Sequence, residues 1–198
     1  MLTAAIYISN HGFGHASRMS ALAEQLETFG VYCHIISEKP AFLFTNLSNR
    51  LTSIHRRSVD VGVKHGDNLV VDLPNTKRSL LQLMGNREQI VAQEVAFVRN
   101  VGVDFIIADI PFIVAEIATY AQIPVYAVSN FDWYYIYSIL FKDDDEMVPV
   151  LNCIWSMYQS ITRSLLLPFS SHESTKSLCN GVEVGLLARK RKAYSDLR

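Results

Sequence analysis

The sequence predicts an α/β domain, a mainly parallel sheet with helices on both faces, and three observations predict it. Short apolar runs of strand length alternate with stretches of helical periodicity along most of the chain. Two strand–turn–helix–strand units can be marked off, one over residues 4–37 and one over 104–128. A composition of 49% hydrophobic and 19% charged over 198 residues suits a large buried core and excludes disorder.

The elements follow in order. Ala4 to Ser9 is an apolar run expected of a strand covered on both faces. It stops at Asn10-His11-Gly12-Phe13-Gly14, where two glycines permit a tight turn. Met19, Leu22, Ala23 and Leu26 then repeat at helical spacing, with Gly30 as the stop. Residues 31–37 read as a second strand, and 53–63 are expected to hold a third. Gly66-Asp67-Asn68 marks a turn before Leu69-Val70-Val71. Helical spacing returns over 79–101, with Gly85 as a possible division. Residues 104–108 form the next strand and 111–121 a helix with proline in its first turn. Residues 124–128 form another strand, followed by helices at 131–141 and 147–161 and short strands at 163–167 and 182–184. The basic stretch 188–198 has no apolar partner and reads as a linker toward a further domain, leaving 1–187 as the folded unit.

Several function classes are excluded. Eighteen Lys and Arg against 19 Asp and Glu, a net charge of −1, argue against nucleic acid as a partner. Cys33, Cys153 and Cys179 are widely spaced with no CxxC pair, which suits free thiols in a reducing compartment; the expected location is cytoplasmic. No apolar run approaches the roughly 18 residues of a membrane span. Gly12-Phe13-Gly14 lacks the third glycine of a dinucleotide fingerprint and the GK[ST] ending of a P-loop. Asp143-Asp144-Asp145 reads as a solvated loop, and no metal site is expected.

In such sheets ligands gather where strands end and helices begin. Two of these edges carry polar side chains: Ser9-Asn10-His11-Gly12-Phe13-Gly14-His15, and Ala108-Asp109-Ile110-Pro111. Where these two edges lie close they would bring a histidine near an aspartate, a pairing able to take a proton from an attacking hydroxyl; the 94 residues between His15 and Asp109 leave that contact open in the sequence. Arg18, one turn into the first helix, is suited to an anionic group above the loop. Asn130, Asp132 and Trp133 follow a strand ending on the same edge, and an aromatic ring beside amide and carboxylate groups suits a sugar. Most aromatic residues of 131–141 read as packing. A membrane-surface patch there, the basis for any peripheral membrane contact, is weakened by its scarcity of cations.

The run Tyr7-Ile8-Ser9-Asn10-His11-Gly12-Phe13-Gly14-His15-Ala16-Ser17-Arg18 resembles the opening of the N-terminal domains of GT-B glycosyltransferases. It is most similar to the glycosyltransferase-like N-terminal region of L-arabinokinases. The resemblance recurs at Arg57-Ser58-Val59-Asp60-Val61-Gly62, at Asp104-Phe105-Ile106-Ile107-Ala108-Asp109 and at Val128-Ser129-Asn130-Phe131-Asp132-Trp133. It implies a Rossmann-like three-layer domain, the N-terminal, acceptor-side half of a GT-B fold, with a C-terminal donor-binding domain elsewhere. It further implies a sugar transferred from a nucleotide sugar, foremost a UDP-sugar, to an acceptor hydroxyl, with no intrinsic cofactor. By resemblance His15 is the general base and Asp109 its orienting partner, with His11 a competitor for the base. Asn10, His11, Gly12, Gly14, Arg18, Asp60, Asn130, Asp132 and Trp133 are the expected substrate-binding residues. The alternatives are a non-catalytic module binding a sugar or nucleotide sugar, and a nucleotide-sugar epimerase or hydrolase.

Overall fold

The computed structural model describes residues 1–189; the expected linker at 188–198 lies, from Lys190 on, outside them. Seven strands form one sheet: β1 (Thr3–Ile8), β2 (Tyr32–Ile36), β3 (Thr52–His55), β4 (Phe105–Asp109), β5 (Val125–Ser129), β6 (Arg163–Leu166) and β7 (Gly181–Glu183). Their order is β3-β2-β1-β4-β5-β6-β7 and every pairing is parallel. The chain builds outward from β1 to β3, then crosses to the other side of β1 to begin β4. The β1/β4 boundary is therefore the switch point of the sheet, where the crossovers leave in opposite directions and open a crevice at the strand carboxyl ends.

Among the described residues six α-helices cover the sheet: α1 (Gly14–Thr28), α2 (Leu73–Gly85), α3 (Arg87–Asn100), α4 (Val114–Ala121), α5 (Trp133–Leu140) and α6 (Val148–Gln159). The period-2 alternation of β1 divides the core between the two faces. Ala4, Ile6 and Ile8 pack with Ala16, Met19 and Ala23 of α1 and with Leu43 and Phe44 of a short helical turn. Ala5 and Tyr7 face the larger cluster, built with Leu80, Val95, Ile117, Ile154 and Tyr158 from the other helices. Both faces are thus buried, which is why the strands read as near-continuous apolar runs.

The strand expected within 53–63 lies at the start of that stretch and ends at His55, and residues 56–64 form an irregular segment. Two other expectations are corrected. The helical stretch after this segment begins at Leu73, with the Asp72 side chain accepting the Asn75 amide as N-cap, and divides between Gly85 and Arg87. The helix expected from 111 begins only at Val114, because Ile110 has φ +68° and residues 111–113 form a turn. No helix among the described residues is long and apolar enough to cross a membrane.

Candidate functional site

The switch-point crevice is built on β1. Past its end, the Ser9 amide still bonds the Asp109 carbonyl at 3.2 Å, and Ser9 Oγ accepts the His11 amide at 3.2 Å. Gly12, at φ +69°, supplies the left-handed turn that sends the chain into α1. No side chain caps α1 and no acidic residue lies in its first turn. The helix therefore presents bare N–H groups and a partial positive charge to the crevice.

The centre of the site is Asp109, the last residue of β4, which is 0% exposed. His15 Nδ1 lies 2.8 Å from its Oδ1, and the Arg18 guanidinium forks onto both carboxylate oxygens, with Nε 2.6 Å from Oδ2. Arg18 also donates to Asn130 Oδ1 at 2.9 Å, which joins α1 to the ends of both β4 and β5. An arginine only donates and an ionised carboxylate only accepts, so Nδ1 carries the His15 proton and Nε2 is left as the basic nitrogen. In that state the 3.0 Å approach of Arg18 Nη2 to His15 Nδ1 is a contact between two donors, not a hydrogen bond. Burial pushes the Asp109 carboxyl up, but the His15 charge and the Arg18 hydrogen bonds outweigh it and hold the group below the usual carboxylate range. Side-chain exposure is 8% for His15 and 16% for Arg18. Among the described residues no hydrogen bond reaches His15 Nε2.

The structure brings the other expected residues to the same edge but directs many of their polar atoms inward. Asn10 is clamped to the loop after β2, its Nδ2 donating to Glu38 at 2.9 Å and its Oδ1 accepting the Glu38 amide at 3.1 Å. Asp60 is buried and accepts from the Asn10 amide, the Ser58 hydroxyl and, at 3.1 Å, the Trp133 indole. Asp132 is fully buried as the N-cap of α5, its Oδ1 accepting the Tyr135 amide at 2.6 Å, while its Oδ2 is buried with no hydrogen-bond partner among the described residues. Burial raises its carboxyl. Arg18 was expected to face an anion above the loop; it is committed to Asp109 and Asn130. Gly14 begins α1 with open space where a Cβ would project.

His11 is half-buried on the other side of the loop. Its ring stacks on His65 with centroids 5.7 Å apart and meets the Trp133 ring edge-on at 5.5 Å. Burial, then the charges of His15 and His65, lower its pKa. These rings, with Phe131, Val63 and Leu140, line a cavity of about 210 Å³ that is apolar apart from the two imidazoles. Phe131 is shared, since it also packs edge-on against His15 at 5.7 Å. A larger groove of about 430 Å³ lies between α3 and α4, and neither cavity is lined by His15 or Asp109; Phe131 joins the smaller one to the His15 ring. Residues that the sequence did not single out also serve the site. His65, Glu38 and Tyr158 lack any local signature, whereas Ile110 lies in the strand-end stretch 108–111 and Gly62 in the stretch 57–62.

No family model matches the chain. Over 139 residues, 69% of its length, it is 30% identical to an L-arabinokinase of Arabidopsis thaliana, and this stretch is 13% of that protein. Among solved structures it is similar to UGT2 of Phytolacca americana complexed with UDP-2fluoro-glucose and pterostilbene, with TM-score 0.62 and 14% identity over 96% of this chain and 55% of that one. It is similar to Arabidopsis thaliana UGT89C1 with TM-score 0.61 and 11% identity, covering 97% and 51% of the two chains. It is also similar to Acinetobacter baumannii MurG, with TM-score 0.51 and 12% identity, covering 99% and 48%. The chain therefore spans about half of each of these structures, and its seven-stranded Rossmann-like domain matches one half of a GT-B fold.

Proposed function

We propose that this GT-B glycosyltransferase-like domain is the acceptor-side half of a transferase that moves a sugar from a UDP-sugar to an acceptor hydroxyl. The observation that carries the reading is the buried Asp109 carboxylate at the switch point, paired at 2.8 Å with His15 Nδ1 and leaving Nε2 as a base. In the reaction, His15 Nε2 takes the proton of the acceptor hydroxyl as the oxygen bonds the anomeric carbon. The bond from that carbon to the diphosphate breaks, and the nucleoside diphosphate leaves with the electron pair. Asp109 stabilises the imidazolium that forms. The bare N-terminus of α1 suits the diphosphate charge. The apolar cavity beside His11 suits an acceptor with an apolar ring. The UGT2 structure, which holds a UDP-sugar analogue and pterostilbene, is similar support from a relative in fold. The donor would be held chiefly by a second domain joined beyond residue 187.

One observation favours a second reading, a domain that binds a nucleotide sugar without transfer. The Arg18 fork neutralises the charge that would otherwise serve His15 alone. The experiment is UDP release and product formation by the full-length natural protein, with wild type compared with H15A. Loss of about 10²–10⁴ in rate with donor binding retained supports general-base transfer. Donor binding with no turnover in either protein supports the binding module.

A further inference from the structure

The Tyr158 hydroxyl sits between the two strand ends that carry the site, and both of its hydrogen bonds are to backbone. It lies on α6, fully buried, and donates to the Ile110 carbonyl at 2.6 Å while accepting the Trp133 amide at 3.1 Å. One oxygen thus joins the residue directly after Asp109 to the first residue of α5, across 48 and 25 positions of sequence respectively.

Ile110 needs such a hold. It is β-branched, 1% exposed and at φ +68°, a conformation that is strained for a side chain of this shape and persists only where its surroundings impose it. Pro111 follows and has no N–H with which to anchor the turn. The direction of the Asp109 side chain, and hence its distance to His15, depends on how the chain leaves β4 through this residue. At the other end of the bridge, Trp133 carries the indole that holds Asp60, and Asp60 in turn accepts the Asn10 amide in the His15 loop. Burial pushes the Tyr158 phenol well above its usual range, so the group stays a neutral donor.

We propose that Tyr158 is the positioning residue of this site: its single hydroxyl holds Ile110 in the left-handed turn that aims Asp109 at His15, and fixes the start of α5 against it. The proposal rests on the reading of His15 and Asp109 as the functional pair. It adds that the pair is held from α6, on the opposite face of the sheet from α1.

Tyr137 provides the internal control. It is equally buried, its hydroxyl has no partner among the described residues, and its ring stacks on Trp133 at 5.3 Å. Tyr158→Phe and Tyr137→Phe each delete one buried hydroxyl, but only the first deletes hydrogen bonds. The test is the solvent exchange of the His15 Nδ1–H in the intact chain, followed by NMR and assigned by its loss in H15Q and D109N. Y158F is expected to speed this exchange about tenfold while Y137F leaves it within about twofold of wild type. Equal exchange in Y158F and wild type overturns the proposal even if Y158F is less stable. Absence of a protected proton in the wild type overturns the His15–Asp109 pair itself, and the proposal with it. Neither result depends on turnover, so failure to find transfer activity is a separate outcome. If Y158F does not fold, Ile110→Gly in the same background carries the test. Glycine holds the left-handed turn unaided, so restored folding with slow exchange supports the proposal, and no restoration overturns it.

Discussion

The Trp133 indole N–H donates to Asp60 Oδ2 at 3.1 Å inside the domain, between residues 73 positions apart. This bond closes a ring of contacts around the crevice: Asp60 also accepts the Asn10 amide, and Asn10 clamps the loop after β2. Trp133→Phe keeps most of the ring packing but leaves a buried carboxylate oxygen without its donor. A loss of about 1.5–3 kcal/mol is expected, the range for a hydrogen bond to a charged group. Urea unfolding measures it, and in the D60N background the same substitution should cost clearly less. Equal losses in both backgrounds would mean that the bond contributes nothing and that only ring packing matters.

Arg18 and Asp109 form the buried ion pair of the site, and removing one partner strands the other. Arg18→Met is expected to destabilise the domain by about 3 kcal/mol, far more than an exposed arginine would. The same pair sets an acid limit. The folded Asp109 carboxyl lies below its unfolded value of about 3.9, so its contribution is fully present above that pH and lost as pH falls through the folded value. Unfolding followed between about pH 6 and about pH 2 should show D109N less stable at the upper end, with a shallower decline on acidification. Parallel declines in the two proteins would contradict the assignment.

Much of this arrangement could be read in the sequence where a local rule produces it. The β1 run, the Gly12 turn and the periodicity of α1 each follow from side chains within a few residues. The strand expected within 53–63 stops at His55 because the residues after it obey distant partners: Arg57 forks onto Glu94 of α3, and Asp60 reaches Trp133. Asp109 was placed at a strand end by the apolar run before it. That Arg18 would turn inward to neutralise it has no signature in spacing, since their separation of 91 residues is closed only by the β1/β4 pairing. Tyr158 is the extreme case. In sequence it is one more apolar position of an amphipathic helix, and its role exists only once Ile110 and Trp133 converge on its hydroxyl.

A second pH dependence comes from the edge of the sheet. His34 Nδ1 on β2 lies 2.9 Å from His55 Nε2 on β3, and Ser53 Oγ is 2.7 Å from the first and 3.1 Å from the second. Burial foremost, then the neighbouring positive charges, lowers both pKa values: His55 and Arg57 act on His34, and Arg57 acts on His55 against the opposing charge of Glu94. Phe97 of α3 packs edge-on against both rings, and Tyr32 lies against His34. Because the folded values lie below the unfolded value of about 6.5, protons bind the unfolded chain better. Stability is complete above that pH and declines as pH falls through the folded values. The urea midpoint should fall between about pH 7.5 and about pH 5, and H34Q/H55Q should flatten that fall, leaving the same-signed part due to His11. An unchanged slope in the double variant would show that the two rings do not carry it.

Gly62 and Gly12 separate the backbone cost of the site from its steric cost. Both sit in the left-handed region, at φ +60° and +69°. An added Cβ at Gly12 meets nothing within 4 Å, whereas at Gly62 it would lie 3.2 Å from His11 Cβ and 3.3 Å from His11 Nδ1. Each alanine therefore pays the left-handed penalty of about 1–2 kcal/mol, but only Gly62→Ala must also displace the His11 ring from its stack on His65. Unfolding measurements should show G62A costlier than G12A. NMR of the histidine side chains should show the His11 ring resonances moved in G62A and near their wild-type positions in G12A. The difference between the two variants is the energy with which the segment after β3 holds His11 against the cavity. If the variants matched in both measurements, the close approach of Gly62 would be incidental and the position of His11 would be set by its own loop.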